Sequence, residues 1–222
     1  MSYQYQQPAG FAPSAATSDQ TSTLFGQVMW LVALTAGVFA LGAYAGRHLS
    51  PGWGLVGILG GLACLLVLNF TRRMSETGHV LLLLGFGVLF GIAMGPGLDY
   101  IASTSPQAVW QAAGATALFM AGFGTAGYLT RKDLSALGRI SFFALIGLII
   151  FGIVLIFVRI PHADLLYSIL GLIIFAGLTL FDFQRLRRVK DISSAPILAA
   201  SIFLDGLNVF FFFLRIFGGG RD

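Results

Sequence analysis

The chain has 222 residues, of which 57% are hydrophobic and only 10% charged, with a formal net charge of +4 and a mean hydropathy of +0.86. Soluble domains carry about 25% charged residues, so this composition excludes a freely soluble protein. It points to an integral membrane protein of one helical domain. The pI near 9.6 does not mark a nucleic-acid binder, because the basic residues sit in short loops between apolar runs, as orientation signals do.

The first segment, Met1–Thr23, is rich in Gln, Ser, Ala and Pro and has no Lys or Arg. It lacks the positive n-region and short apolar core of a cleaved signal peptide. It reads as a disordered N-terminal tail over 1–23, leaving 24–222 as the transmembrane domain.

A membrane span needs about 20 mostly apolar residues. Seven runs qualify: about Leu24–Ala45, Trp53–Phe70, Val80–Ile101, Val109–Leu129, Ile140–Val158, Leu165–Phe183 and Ile197–Phe217. Their apolar residues run continuously and do not alternate, which predicts helices and not strands. The expected fold class is therefore an all-α membrane protein with seven transmembrane helices. Breaks such as Ser50-Pro51-Gly52, Ser105-Pro106, Arg131-Lys132-Asp133 and Ile160-Pro161-His162 carry turn chemistry or charge. Gly95-Pro96-Gly97 is expected to break or bend the third helix near its outer end.

Nine of the thirteen basic residues fall in the loops after the second, fourth and sixth runs. The positive-inside rule then puts the N-terminus in the cytoplasm and the C-terminus outside. Gly57-xxx-Gly61, Gly87-xxx-Gly91 and Gly91-xxx-Gly95 set small residues one turn apart, which lets helix backbones approach closely.

Several literal motifs fail on context. Gly122-Phe123-Gly124-Thr125-Ala126-Gly127 fits a dinucleotide fingerprint, but it lies inside an apolar run with no preceding strand, so it reads as helix packing. Asn69-Phe70-Thr71 fits a glycosylation sequon at a membrane edge on the expected cytoplasmic side. The single Cys64 permits no disulfide within one chain. His48, His79 and His162 form no metal-ligand pattern, and Ser141, Ser168 and Ser201 lack a base partner and are expected to bond helix carbonyls. No catalytic residue set and no resident cofactor emerge.

Two carboxylates stand apart. Asp205 lies mid-way along the seventh run and Asp182 at the end of the sixth. A charged side chain at the centre of a membrane helix costs about 2.5–3.5 kcal/mol on insertion scales and usually faces a polar interior. Consecutive antiparallel helices commonly pack together, so the two acids are expected at one site if the seventh helix starts deep or the sixth ends in a break. Arg72 or Arg73, closing the second run at the same face, is placed to reach them. Asn208, three residues after Asp205, extends a polar stripe on the seventh helix. Paired acids titrate as a unit, and their oxygens are of the type Ca²⁺ prefers. The plainer readings are that Asp182 sits at the membrane interface beside Arg185 and that Asp205 makes a structural bond within the bundle.

The neighbours of these acids carry a resemblance. Thr179-Leu180-Phe181-Asp182-Phe183-Gln184 resembles the Thr-x-Tyr-Asp-x-Gln element of the Bax inhibitor-1 family, the transmembrane Bax inhibitor motif proteins. Phe203-Leu204-Asp205-Gly206-Leu207-Asn208 resembles its Tyr-Leu-Asp-Phe-Ile-Asn element, and Asp133-Leu134-Ser135-Ala136-Leu137-Gly138 its Asp-Leu-Ser-x-x-Gly loop. The resemblance covers about residues 24–218. The segments around Gly95-Pro96 and 114–131 are most similar to a proteobacterial branch that includes a modulator of the membrane protease FtsH.

This resemblance implies seven helices with the last one central. It also implies a pH-sensing pair on Asp182 and Asp205, linked to calcium leak and latched by an arginine at the end of the second helix, Arg72 or Arg73. Ca²⁺ or protons would be the transported species, with Asp182 and Asp205 as the candidate calcium ligands. The bacterial inner membrane is the expected location. The chain departs from the family pattern at Phe181 and Phe203, which replace tyrosines, and at Gly206, which replaces a bulky residue; these positions bear on gating. Two alternatives stand beside this reading: an interaction protein that modulates FtsH or membrane-protein quality control, and a proton-coupled transporter. Retention of both acids favours the leak, and no internal repeat supports the transporter.

Overall fold

The computed structural model describes residues 16–71, 74–158, 161, 163–189 and 191–219. Seven helices follow in chain order: α1 (Ala16–Gly46), α2 (Pro51–Phe70), α3 (Glu76–Thr104), α4 (Pro106–Leu129), α5 (Ser135–Phe157), α6 (Ala163–Arg188) and α7 (Ala195–Gly218). All seven are long and apolar enough to cross a membrane, and no strand occurs among the described residues.

The helix starts follow local chemistry. The Ser75 hydroxyl accepts the Gly78 N–H at 3.2 Å to cap α3, with Glu76 in the first turn beside the positive end of the helix dipole. Pro51, Pro106 and Pro196 open α2, α4 and α7, where a missing N–H costs no helical bond. Arg185, Arg187 and Arg188 end α6 and complement its dipole.

Three boundaries differ from the apolar runs. Helix α1 begins at Ala16, inside the segment read as tail. Residues 1–15 lie outside the described residues. Helix α3 is not broken at Gly95-Pro96-Gly97 but continues to Thr104 with Pro96 inside it. Membrane helices tolerate an interior proline because neighbouring groups take up the freed carbonyl. Helix α6 continues past Phe183 to Arg188, because its last residues stay helical as a charged extension bonded to the α4–α5 loop.

Two clusters fix the up-and-down order. At one end, Leu24 and Val28 of α1 meet Leu68 of α2, Leu83 of α3, Leu186 of α6 and Leu198 of α7. At the other, Ala108 and Ala112 of α4 meet Leu214 of α7. The start of α1 and the end of α7 therefore lie at opposite faces. Helix α7 touches α1, α2, α3, α4 and α6. Over its core window 56% of residues are buried, against 11% to 28% in the other helices. The last helix is thus the centre of the bundle, as expected. Helix α5 is the outlier: it packs on α6 and hardly meets α7.

The glycine rows do what their spacing predicts. Gly91 and Gly95 face α1 so closely that any Cβ would run into the α1 backbone, Gly87 lies tight against Thr35 and Val38 of α1, and Gly57 meets the α3 backbone. In the false dinucleotide motif, Gly124 receives the Phe183 ring and Gly127 lies against the Leu180 backbone of α6. That motif is a helix contact.

Candidate functional site

Helices α5, α6 and α7 enclose a cavity of about 670 Å³ that is lined by both Asp182 and Asp205. Helix α6 runs six residues past Asp182, and Asp205 lies ten residues into α7. At a rise of about 1.5 Å per residue, both acids sit well inside the helices, about 9 and 15 Å from those ends. The longer α6, not a break in it or a deep start of α7, brings the two acids to neighbouring levels.

Their surroundings differ. Asp205 is 5% exposed, and its Oδ2 is buried without a hydrogen-bond partner among the described residues. The Thr179 hydroxyl, one turn before Asp182, lies beside the Asp205 carboxyl and also contacts the Met120 sulfur at 3.9 Å. Asp182 is half-buried and has Arg185 one turn on along α6. An unpaired acid oxygen in a dry site is costly and seldom retained without a role. The residue that carries it lines a cavity wide enough for water or a small cation.

The cavity wall explains the recognised motifs. Gly138 of α5 has no side chain, and the Phe181 ring fills the place a Cβ would take. Ser141 is pressed against Gly177 of α6, and Ser168 donates to the Asp164 carbonyl at 2.8 Å. Ser201 lines the acid cavity instead of serving only its own helix. Asn208 also lines it, and its amide donates to the Leu204 carbonyl at 2.8 Å. Phe203 points elsewhere, into the rings of Phe39 and Phe86 at 6.0 and 5.9 Å. The space left by Gly206 is met by the Met120 side chain.

The expected latch, Arg72 or Arg73, lies outside the described residues. Two other cations line the acid cavity, both exposed: Arg185 of α6, which the sequence already sets beside Asp182, and Arg139 of α5, which sequence reading missed. Among the described residues neither forms an ion pair with Asp182 or Asp205. Arg139 was hidden because a linear sequence does not say that α5 flanks the acid-bearing face of α6. Arg185 is one turn from Asp182, a spacing that does signal proximity.

A second missed feature holds the cavity's rim. Gln184 is 1% exposed. Its Oε1 accepts the Leu134 N–H at 2.9 Å and its Nε2 donates to the Lys132 carbonyl at 2.6 Å. Arg187 donates to the Thr130 carbonyl, and Arg188 pairs with Asp133 at 3.0 Å. The end of α6 thus clamps the α4–α5 loop. The Ser135 hydroxyl and N–H, with Arg188 beside them, hold the Asp133 carboxyl down to about 2.

No three His, Cys, Asp or Glu side chains cluster among the described residues. Two carboxylates fall short of the 6–8 oxygens that hold Ca²⁺ firmly.

Known proteins are similar in sequence to this chain, one of them over nearly its whole length. The sequence model of the family described as Inhibitor of apoptosis-promoting Bax1 matches residues 21–222. An uncharacterized protein of Deinococcus radiodurans is 34% identical over 221 residues, covering 93% of this chain and 94% of that one. An uncharacterized protein of Chlamydia muridarum is 33% identical over 160 residues, 66% of this chain and 67% of that one. Inner membrane protein YbhL of Escherichia coli is 35% identical over 105 residues, 43% of this chain and 45% of its own length. With the seven-helix fold and its central last helix, these matches establish that the chain belongs to the Bax inhibitor-1 family of integral membrane proteins.

Proposed function

We propose that this protein is a pH-sensitive cation leak, with Asp182 and Asp205 as its sensor and gate and Ca²⁺ as the main transported ion. The observation that carries this reading is a buried Asp205 whose Oδ2 has no partner among the described residues and which lines a cavity together with Asp182. Two acids and their waters offer a passing cation a weak stop, and passage needs sites that release as readily as they bind. The arginine latch, Arg72 or Arg73, holds the acids while they are ionised, and Arg139 and Arg185 at the rim oppose cation entry. Protonation of the pair frees the latch, and the central α7 moves.

The acid cavity lies toward the face that carries the α4–α5 loop and the end of α6, with Arg131, Lys132, Arg139, Arg185, Arg187 and Arg188. That face is the cytoplasmic one in this reading, with the N-terminus inside and the C-terminus outside. The similarity to an inner membrane protein of Escherichia coli supports a bacterial inner membrane.

The test is Ca²⁺ flux in proteoliposomes from neutral to mildly acid pH. The wild type should leak more as pH falls, and Asp205→Asn should flatten that response. A wild-type pH profile in Asp205→Asn removes the mechanism. A stoichiometric protease pulled from native membranes, with no flux in the purified protein, supports the interaction reading instead.

A further inference from the structure

A second cavity, of about 420 Å³, lies on the same three helices as the acid cavity but nearer the opposite face. Asp164 and Tyr167 of α6, Arg215 of α7 and Leu155 of α5 line it. Asp164 and Arg215 pair there at 3.7 Å, and the Arg215 guanidinium lies 5.1 Å from the Tyr167 ring centre.

The sequence threads the two cavities on shared stripes. On α7, Asp205, Asn208, Phe212 and Arg215 recur at helical spacing and so share one face. On α6, Asp182, Leu178, Phe175, Gly171 and Asp164 do the same. Asp205 and Arg215 are ten residues apart, about 15 Å along the helix. Helix α5 rests on α6 and hardly meets α7, so the groove over these stripes is not closed by tight helix packing.

Between the cavities the groove is closed by side chains alone. Leu148, Phe175, Val209 and Phe212 form one buried apolar cluster. The Phe212 ring fills the space beside Gly171 where a Cβ would sit. It is 5.8 Å from both the Phe175 and Tyr167 rings. Apolar constrictions of this kind close pores by excluding water.

We propose that the path of the cation leak is this α5–α6–α7 seam, running from the Asp182–Asp205 cavity to the Asp164–Arg215 cavity, with the Phe212 plug as its hydrophobic gate. The proposal rests on the leak reading and names its route. The Asp164–Arg215 pair sits at the far mouth, where a carboxylate attracts the ion and the arginine limits its stay. Gly171 makes the gate removable: the ring rests on bare backbone, so a small shift of α7 against α6 withdraws it.

Two measurements test the route. In a Cys64→Ala background, single cysteines are placed by Ser201→Cys, Leu148→Cys and Leu155→Cys and exposed to a charged, membrane-impermeant thiol reagent on each side of sealed vesicles. Ser201→Cys should react from the side of the α7 N-terminus, Leu155→Cys from the opposite side, and Leu148→Cys from neither. Failure of both outer positions to react means a lipid-filled seam and overturns the route, whatever the flux. The second measurement is Ca²⁺ flux. Phe212→Ser should raise leak at neutral pH by about tenfold or more and Phe212→Leu much less, because Leu keeps the plug dry. A folded Phe212→Ser protein with wild-type flux overturns the gate. Wild-type protein that leaks at no pH refutes the parent reading, while the thiol pattern still decides whether the seam is wet.

Discussion

The α1–α3 pair and the α5–α6–α7 seam are built from the same apolar and glycine-rich material to opposite ends. In the first, glycine meets backbone: Gly42 and Gly46 of α1 lie against the α3 chain, and Gly91 and Gly95 of α3 against the α1 chain. In the second, glycine meets rings: Phe181 rests on Gly138 and Phe212 on Gly171. Backbone against backbone cannot yield without moving a whole helix, whereas a ring on a glycine withdraws by a side-chain turn or a small slide. The acids and both seam cavities sit with the rings. The α1–α3 pair is thus the rigid frame and the seam the adjustable part.

The most severe break in this contrast should come from Gly91→Leu. A Cβ there would strike the Phe39 carbonyl and approach the Ala43 nitrogen at 3.0 Å. Overpacking of this kind costs about 3 kcal/mol, and thermal unfolding in detergent should show it as a large loss of stability. Gly147→Leu on α5, where nothing lies within 4 Å of the added carbon, should unfold as the wild type does. Equal effects of the two changes would erase the distinction between frame and periphery.

A smaller loss is expected for Gln184→Ala. It strands the Leu134 N–H and the Lys132 carbonyl, which Gln184 now satisfies. Leaving such groups unpaired costs about 2 kcal/mol. Hydrogen exchange should rise at 130–135 first, while exchange along α1 and α3 stays slow. Uniform loosening across all seven helices would mean that the loop clamp belongs to the frame.

The frame was far more legible in the sequence than the seam. Continuous apolar runs of span length find seven helices, and glycines one turn apart find close contacts, because both depend on local spacing. Asp182 and Asp205 were legible for a different reason: a carboxylate in an apolar run stands out whatever its neighbours. Their meeting was expected only on condition of a deep start of α7 or a break in α6; what sets them at neighbouring levels is α6 reaching Arg188, and the charged end of that helix lies beyond the apolar signal. Arg139 and Phe212 were silent, and Gln184 stood in a recognised motif that did not reveal the loop it clamps. Each is ordinary on its own helix and gains meaning only from which helix lies opposite, which periodicity does not encode.

The smallest effect should come from Asp133→Asn, and its smallness is informative. Asp133 is an acid at the same face as the proposed sensor pair, ion-paired to Arg188 at 3.0 Å, and so a rival source of any pH response. Its carboxyl titrates at about 2 in the folded protein, against an ordinary value of 3.8, through the Ser135 bonds and Arg188. A lowered value means that its contribution to stability is complete above about pH 4 and fades as pH falls toward about 2. Between neutral and mildly acid pH it stays ionised in folded and unfolded chains alike, so it supplies no switch there. Asp133→Asn should leave the pH profile of Ca²⁺ flux in place and reduce stability only slightly, as exposed ion pairs do. A profile flattened by Asp133→Asn as fully as by Asp205→Asn would move the sensor from the buried cavity to the loop clamp, and the seam would lose its claim to be the part of the molecule that responds to pH.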